Sequence, residues 1–524
     1  MKKLATSFTL LILVLFFSSY NRMERELSIS TNSISVLSYA PFVPVLKGKE
    51  LNPFLRLAVT VPTRNEILNV KELRCTINQG GLSQVLAIEI YRTTTDLFSN
   101  TQLITSLCPA DTEFVIPVDV SMNPGTHFFW LSVRLKPTAT AGAVVALRCT
   151  KIIDANRKQT AVRLDNSVYE KYVGVAIRKA GDEGVHTYRI PGIVRTNTGA
   201  LIAVYDIRYN NSGDLPGNID VGMSRSTDNG TTWEPMRVIM DMGAPHDNNG
   251  VGDPAVLYDP ATSKIIVAAL WSKGNRSIAG SLPGISPDST GQFVLSTSAD
   301  DGHTWSAPYT IAPQVKNPAW HLFFQGPGSG IAMQNGTLVF PAQYWDENKM
   351  PYSTLIYSDD HGLSWKGKIN GPKSNTTESQ VVETTPGTLM LNMRDNRGSY
   401  RSVATTTNFG ASWVTHETSY SSLIDPVCMG SLIKARVKLG GVLKDILFFS
   451  NPNTSSGRYN MTIKGSTDLG ENWLPVNQLL VDERTCFGYS NLVQIDAETI
   501  GILYEGRGDL YFVKYPVAAI LKSN

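Results

Sequence analysis

The sequence predicts an all-β protein, a β-propeller preceded by a β-sandwich, and three observations carry that expectation. A short pattern, Ser-x-Asp-x-Gly-x-Thr-Trp, recurs through the later part of the chain, strand-like alternation is dense ahead of it, and no convincing amphipathic helix separates those earlier strands. The pattern stands at 226–233, 298–305 and 358–365, with looser copies at 406–413 and 466–473. Its tryptophans, Trp233, Trp305, Trp365, Trp413 and Trp473, fall roughly 50 to 70 residues apart, about the period of one four-stranded propeller blade.

From the N-terminus, Lys2 and Lys3 precede an apolar run to Phe17 and the small polar pair Ser18 and Ser19. Residues 1–22 therefore read as a secretory signal peptide whose apolar core is too short to span a bilayer comfortably. Export to the periplasm or the exterior, without stable membrane insertion, is the expectation. Residues 23–160 are the expected sandwich. Val85 to Tyr91 has strand character, and Phe129, Leu131, Val133 and Leu135 alternate with Trp130, Ser132 and Arg134 after the turn Asn123-Pro124-Gly125. The polar and basic stretch 154–166 is the expected linker, and 161–524 the propeller.

Each position of the repeat has a task in a hairpin turn. The Asp or Asn oxygen accepts from turn N–H groups, the Gly takes a positive φ, and the Trp caps the hairpin with apolar surface. These acids are staples, because the pattern lacks the regular oxygen ligands and distal Glu of an EF-hand calcium loop.

Composition limits the function. A chain of 524 residues, 42% apolar and 18% charged, is a globular protein long enough for at least two domains. A formal net charge of +2 argues against a general nucleic-acid or membrane-surface binder. Cys75, Cys108, Cys149, Cys428 and Cys486 are scattered without metal-ligand spacing or a legible disulfide framework, and the histidines show no ligand spacing, so no metal is implied.

At the start of the second domain stands Tyr188-Arg189-Ile190-Pro191, an Arg beside a Pro that cannot donate to a sheet ladder. With the Asp-containing repeats, this motif makes nearly all of 165–524 resemble the bacterial exo-α-sialidases (neuraminidases), whose propeller has six blades. The segment ahead of it resembles the β-sandwich that precedes the propeller in some gut-bacterial sialidases. The resemblance implies a carboxylate-binding triad of Arg189, Arg394 and Arg458, a further pocket Arg at Arg208, and a sugar-hydroxyl ligand at Asp253. It also implies Asp214 as general acid/base, Tyr489 as nucleophile and Glu378 as the base that activates it. Arg436 and Arg484 compete for the place of Arg458, and Trp271 and Gln325 are candidates for the acyl or glycerol subpockets.

The chemistry explains those residue types. Sialic acid carries a carboxylate on its anomeric carbon, which guanidinium groups grip with a bidentate geometry that Lys cannot reproduce. The same carboxylate would repel an acidic nucleophile, and sialidases use Tyr instead. The implied activity is cofactor-free, retaining hydrolysis of terminal α-linked sialic acids from glycoproteins, glycolipids and oligosaccharides, with sialylated glycans as partners. The alternatives are a trans-sialidase, an intramolecular trans-sialidase, and a non-catalytic glycan-binding propeller; the sandwich either binds carbohydrate or covers one propeller surface.

Overall fold

The computed structural model describes residues 33–64, 67–165, 169–274 and 276–522. The signal-peptide segment, 1–22, lies outside the described residues. Among the described residues no helix is long and apolar enough to cross a membrane.

The N-terminal strands form two facing layers. In one, Ser35–Tyr39, Pro53–Val61, Gly125–Leu135, Val85–Thr93 and Gln102–Leu107 pair in that order; in the other, Leu68–Ile77 lies between Glu113–Met122 and Val144–Asp154. Period-two alternation decides which side chains face inward. Leu57, Val59, Ile90 and Leu131 from the first layer meet Leu73, Ile116, Leu147 and Ile152 from the second in one core.

Two expectations for this region are corrected. Trp130 and Ser132, which a half-buried alternating strand would turn outward, are buried. Trp130 packs edge-on against Phe98 at 5.3 Å, and the Ser132 hydroxyl accepts the Asn52 N–H at 3.0 Å, so this central strand is covered on both faces. The stretch 154–166 is not a free linker. Its residues Gln159–Leu164 form a strand that pairs parallel with Ser35–Tyr39 and antiparallel with Val144–Asp154.

The rest of the chain is a β-propeller. Five sheets of four or five strands stand separately, opening with Thr187–Arg195, Val251–Asp259, Leu322–Gln325, Thr376–Glu383 and Ser431–Leu439, and they are antiparallel except where Gly328–Ser329 pairs parallel with Val251–Asp259. The expected count of six blades is not met as separate sheets, of which five stand apart. Ser490–Gln494, Thr499–Glu505 and Leu510–Pro516 continue through Glu170–Arg178 into the N-terminal layers as part of one 14-stranded sheet. The cause is Glu170–Arg178, which pairs with Leu510–Pro516 and also with Val45–Lys47 and Val144–Asp154, so no free edge remains there. Thr187–Arg195 lies against Val251–Asp259 and Ser490–Gln494, and Ser431–Leu439 against Thr376–Glu383 and Ser490–Gln494. This inner ring of strands carries the candidate site.

The repeated turns sit on the outer hairpins and work as staples. Asp228 accepts the Ser226 hydroxyl, the Thr232 N–H and the Thr232 hydroxyl at 2.9, 2.9 and 2.7 Å, and Trp233 Nε1 donates to the Gly230 carbonyl at 3.2 Å. Gly230 has φ +81°, and a Cβ there would come within 2.1 Å of the Phe512 ring. Asp360 repeats the arrangement with Ser358 and Ser364. Slight burial opposes its ionisation, yet the Ser364 hydroxyl and N–H and the Ser358 hydroxyl hold its pKa down from 3.8 to about 2. A carboxylate held in this way stabilises the fold above about pH 4, and that contribution is lost as pH falls towards about 2. Asp360→Asn is therefore expected to lower the urea midpoint at pH 7, with the gap from the parent closing as the titration is repeated between pH 4 and pH 2. A gap that stays constant with pH would remove the carboxylate from the account.

Candidate active site

Three of the candidate residues are aimed by the same local device, a slip in the ladder between the first and second strands of a sheet. The pairing of Thr187–Arg195 shifts between Arg189 and Gly192, that of Val251–Asp259 between Gly252 and Ala255, and that of Thr376–Glu383 between Thr376 and Ser379. Pro191 and Pro254 have no N–H to continue the ladder, and Ile190 and Asp253 take φ of +55° and +56°. The slips fall at Arg189, Asp253 and Glu378. Arg208 and Arg394 come from second strands, and Tyr489 immediately precedes Ser490–Gln494.

These side chains meet in a cleft of about 280 Å³, lined by Arg189, Asp214, Asp253, Glu378, Arg394, Arg458 and Tyr489 together with Ile278, Phe324, Gln343 and Trp345. A larger cavity, about 470 Å³, lies at the seam with the N-terminal layers and holds none of the candidates. Arg208 is buried directly behind the cleft.

At the floor, the Tyr489 hydroxyl donates to Glu378 Oε1, and Arg394 Nη1 donates to Glu378 Oε2 at 2.6 Å and to the Tyr489 oxygen at 3.1 Å. Burial and the Glu378 charge push the Tyr489 pKa well above its ordinary value against the pull of Arg394 and Arg189, so the phenol is protonated in the resting protein. Arg458 donates to the Phe487 and Val427 carbonyls at 2.8 and 3.1 Å, and its guanidinium stands 5.7 Å from the centre of the Tyr489 ring. Arg189 lies over the same ring at 5.4 Å. The Nε of Arg394 is buried and has no hydrogen-bond partner among the described residues. Three guanidiniums thus surround one phenol, and together they offer donors to an incoming anion.

On the opposite wall, Asp214 Oδ1 accepts from Arg208 Nη1 at 2.7 Å and lies 3.4 Å from Arg189 Nη1. Burial alone would raise its pKa, but the charges of Arg208 and Arg189 hold it below the usual carboxylate range. Asp253 moves the other way. Burial and the neighbouring Asp206 carboxylate raise it well above that range despite Arg208. Two carboxyl groups of one cleft are therefore driven apart by their surroundings.

The competitors for Arg458 are occupied elsewhere. Arg484 pairs with Asp482 at 2.6 Å, and Arg436 is an exposed partner of Asp445 at 3.6 Å. Trp271 bonds Asn249 and does not line the cleft, whereas Trp345 does. Gln325 sits behind the wall, donating to the Asp253 carbonyl, with its Oε1 buried and unpartnered.

Two acids that the sequence reading did not select organise the site. Glu505, fully buried, accepts from Arg189 Nε at 3.1 Å, from the Ile190 N–H at 2.8 Å and from the Tyr489 N–H at 2.9 Å. Asp206 accepts from Arg208 Nε and Nη2 at 3.0 and 2.8 Å. Each is the one acid of a buried, largely apolar strand, and that was the available signal.

Comparisons with known proteins point to one family. A family model described as a BNR repeat-like domain matches residues 197–503, and one described as the N-terminal domain of BNR-repeat neuraminidase matches residues 31–158. A Bacteroides fragilis sialidase is 48% identical over 401 residues, covering 75% of this chain and 73% of its own. A Micromonospora viridifaciens sialidase is 32% identical over 350 residues, 64% of this chain and 53% of its own. The solved structure of a Hadza microbial sialidase matches 93% of this chain and 100% of its own at 38% identity, with a TM-score of 0.86.

Proposed function

This chain belongs to the BNR-repeat neuraminidase family, and on that premise we propose that it is an exo-α-sialidase, hydrolysing terminal α-linked sialic acids from glycans with retention of configuration. The observation that carries the mechanism is the Tyr489 hydroxyl donating to Glu378 in a cleft shared with Arg189, Arg394 and Arg458.

The sugar carboxylate docks on Arg189, Arg394 and Arg458, whose fork geometry fixes the anomeric carbon over Tyr489. A neutral phenol is a poor nucleophile, so Glu378 takes its proton as the bond to the anomeric carbon forms. Asp214 protonates the departing glycosidic oxygen and then deprotonates the water that breaks the tyrosyl intermediate. The resting Asp214 is held ionised by Arg208 and Arg189. A bound sugar carboxylate competes for Arg189, which releases part of that hold and favours protonation of Asp214 where the acid is needed. Asp253 faces a sugar hydroxyl, and Arg208, buried behind the cleft, acts through its bond to Asp214.

The same reading covers organisation. Residues 1–22 act as a signal peptide for export to the periplasm or exterior, 23–160 form a β-sandwich, and 161–524 form a six-bladed propeller. Ser490–Gln494, Thr499–Glu505, Leu510–Pro516 and Glu170–Arg178 serve as the sixth blade. In support, these strands pack apolar side chains towards the sheet that opens with Ser431–Leu439 and towards the sheet that opens with Thr187–Arg195.

The test is incubation with a fluorogenic sialoside and with sialyllactose isomers, followed by identification of the released sugar and its first-formed anomer. Free sialic acid released first as the α-anomer is the expected result; no release, or release of the β-anomer first, would overturn the reading. Arg394→Lys keeps the charge but loses the fork, and is expected to cost about 1.5–3 kcal/mol in kcat/KM. Parent-like kinetics in that variant would take Arg394 out of the carboxylate site.

A further inference from the structure

Asp206 is an anomaly on its strand. Leu201–Arg208 is buried at every residue, and Asp206 is 1% exposed. A carboxylate placed so deeply is costly unless it is fully engaged, and its partners are two members of the candidate site. Its Oδ2 accepts from Arg208 Nε at 3.0 Å and Nη2 at 2.8 Å, and its Oδ1 accepts the Asp253 N–H at 2.8 Å. The remaining side of Arg208 is turned to the acid, with Nη1 donating to Asp214 Oδ1 at 2.7 Å and to the Ser212 carbonyl at 2.9 Å. Asp206 and Asp214 therefore grip opposite ends of one planar cation, which a single ammonium could not bridge. Asp206 does not line the cleft.

Resting on the reading that Asp214 handles the leaving-group proton, we infer that Asp206 is a positioning residue for that acid: it fixes the orientation of Arg208 and balances its charge, and so sets how firmly Arg208 holds Asp214, while its second oxygen pins the backbone that presents Asp253.

The surrounding charges give the direction of the effect. Asp206 faces Arg208, Arg189 and Asp253; Asp214 faces Arg208, Arg189 and Arg394; Asp253 faces Asp206, Arg208, Asp214 and Glu378. With Asp206 neutral, the charge of Arg208 is no longer balanced from behind and bears fully on Asp214, which then stays ionised to lower pH. The acid form becomes scarce at the pH where the glycosidic oxygen needs a proton. An aryl aglycone leaves with little protonation, so this defect should depend on the leaving group.

The experiment compares parent and Asp206→Asn on sialyllactose and on a fluorogenic aryl sialoside, with kcat measured across pH. The expected result is a loss on the order of 100-fold on sialyllactose against less than about tenfold on the aryl substrate. The limb of the profile where activity falls with rising pH should also move to lower pH. An equal loss on both substrates with an unmoved limb would reduce Asp206 to a structural residue and overturn the proposal. Should Asp206→Asn fail to fold, Arg208→Lys carries the test: an ammonium held by Asp206 cannot also reach Asp214, so the acid is released and the falling limb should move to higher pH, the opposite direction; a limb that does not move overturns the proposal. A parent protein inactive on both substrates would instead remove the sialidase reading, and the proposal with it.

Discussion

Tyr489→Phe is expected to abolish turnover on sialyllactose and on an activated aryl sialoside alike, because it removes the oxygen proposed as the nucleophile. Loss of a nucleophile is worth on the order of 10³-fold or more in kcat, and no improvement in the leaving group restores it. The substitution is gentle on the fold. The ring keeps its packing against Ile190, Cys428 and Met429, its N–H keeps the bond to Glu505, and only the hydroxyl shared with Glu378 and Arg394 disappears. The melting temperature should therefore stay close to that of the parent, which separates a chemical defect from a folding one. A fluorinated sialic acid that traps the intermediate should label the parent on the peptide containing Tyr489 and leave the variant unlabelled. A label elsewhere, or appreciable turnover by the Phe variant, would remove Tyr489 from the nucleophile's place.

The residues proposed to react with substrate were legible in the sequence, and the residues that hold them were not. Arg189, Asp214, Glu378, Arg394 and Tyr489 each stand in a short motif whose order along the chain carries information, and the cleft contains all five. Glu505 has no such motif. It ends the strand Thr499–Glu505, and only the pairing of that strand with Ser490–Gln494 brings it beneath Tyr489 and Arg189. Trp345 was likewise missed because nothing local separates a cleft tryptophan from the turn-capping ones. The outer turns were legible for the opposite reason: Asp228 finds its partners within four residues, so the sequence holds the whole device. The stretch 154–166 misled because polar composition marks an exposed strand as readily as a linker, and the parallel pairing of Gln159–Leu164 with Ser35–Tyr39 joins residues more than a hundred positions apart.

Glu505→Ala is expected to be among the most damaging single substitutions in the propeller, although Glu505 does not line the cleft. Its carboxylate is fully buried and accepts three bonds, two from backbone N–H groups and one from the Arg189 guanidinium. Removing it leaves Arg189 charged and largely buried, with the longer contact to Asp214 at 3.4 Å as its remaining ion pair among the described residues. Breaking one side of a buried pair costs about 3–5 kcal/mol, most of it the penalty of the charge left behind. Urea unfolding should show a loss of that size, and the surviving folded fraction should bind sialic acid weakly because Arg189 is no longer aimed. A double-mutant cycle with Arg189→Met identifies the cause. If the stranded charge dominates, the double variant will be clearly more stable than the sum of the two single losses predicts, since no charge remains to be left unpaired. Additive losses would mean that Glu505 acts on the backbone alone, through Ile190 and Tyr489, and that the ion pair contributes nothing to the fold.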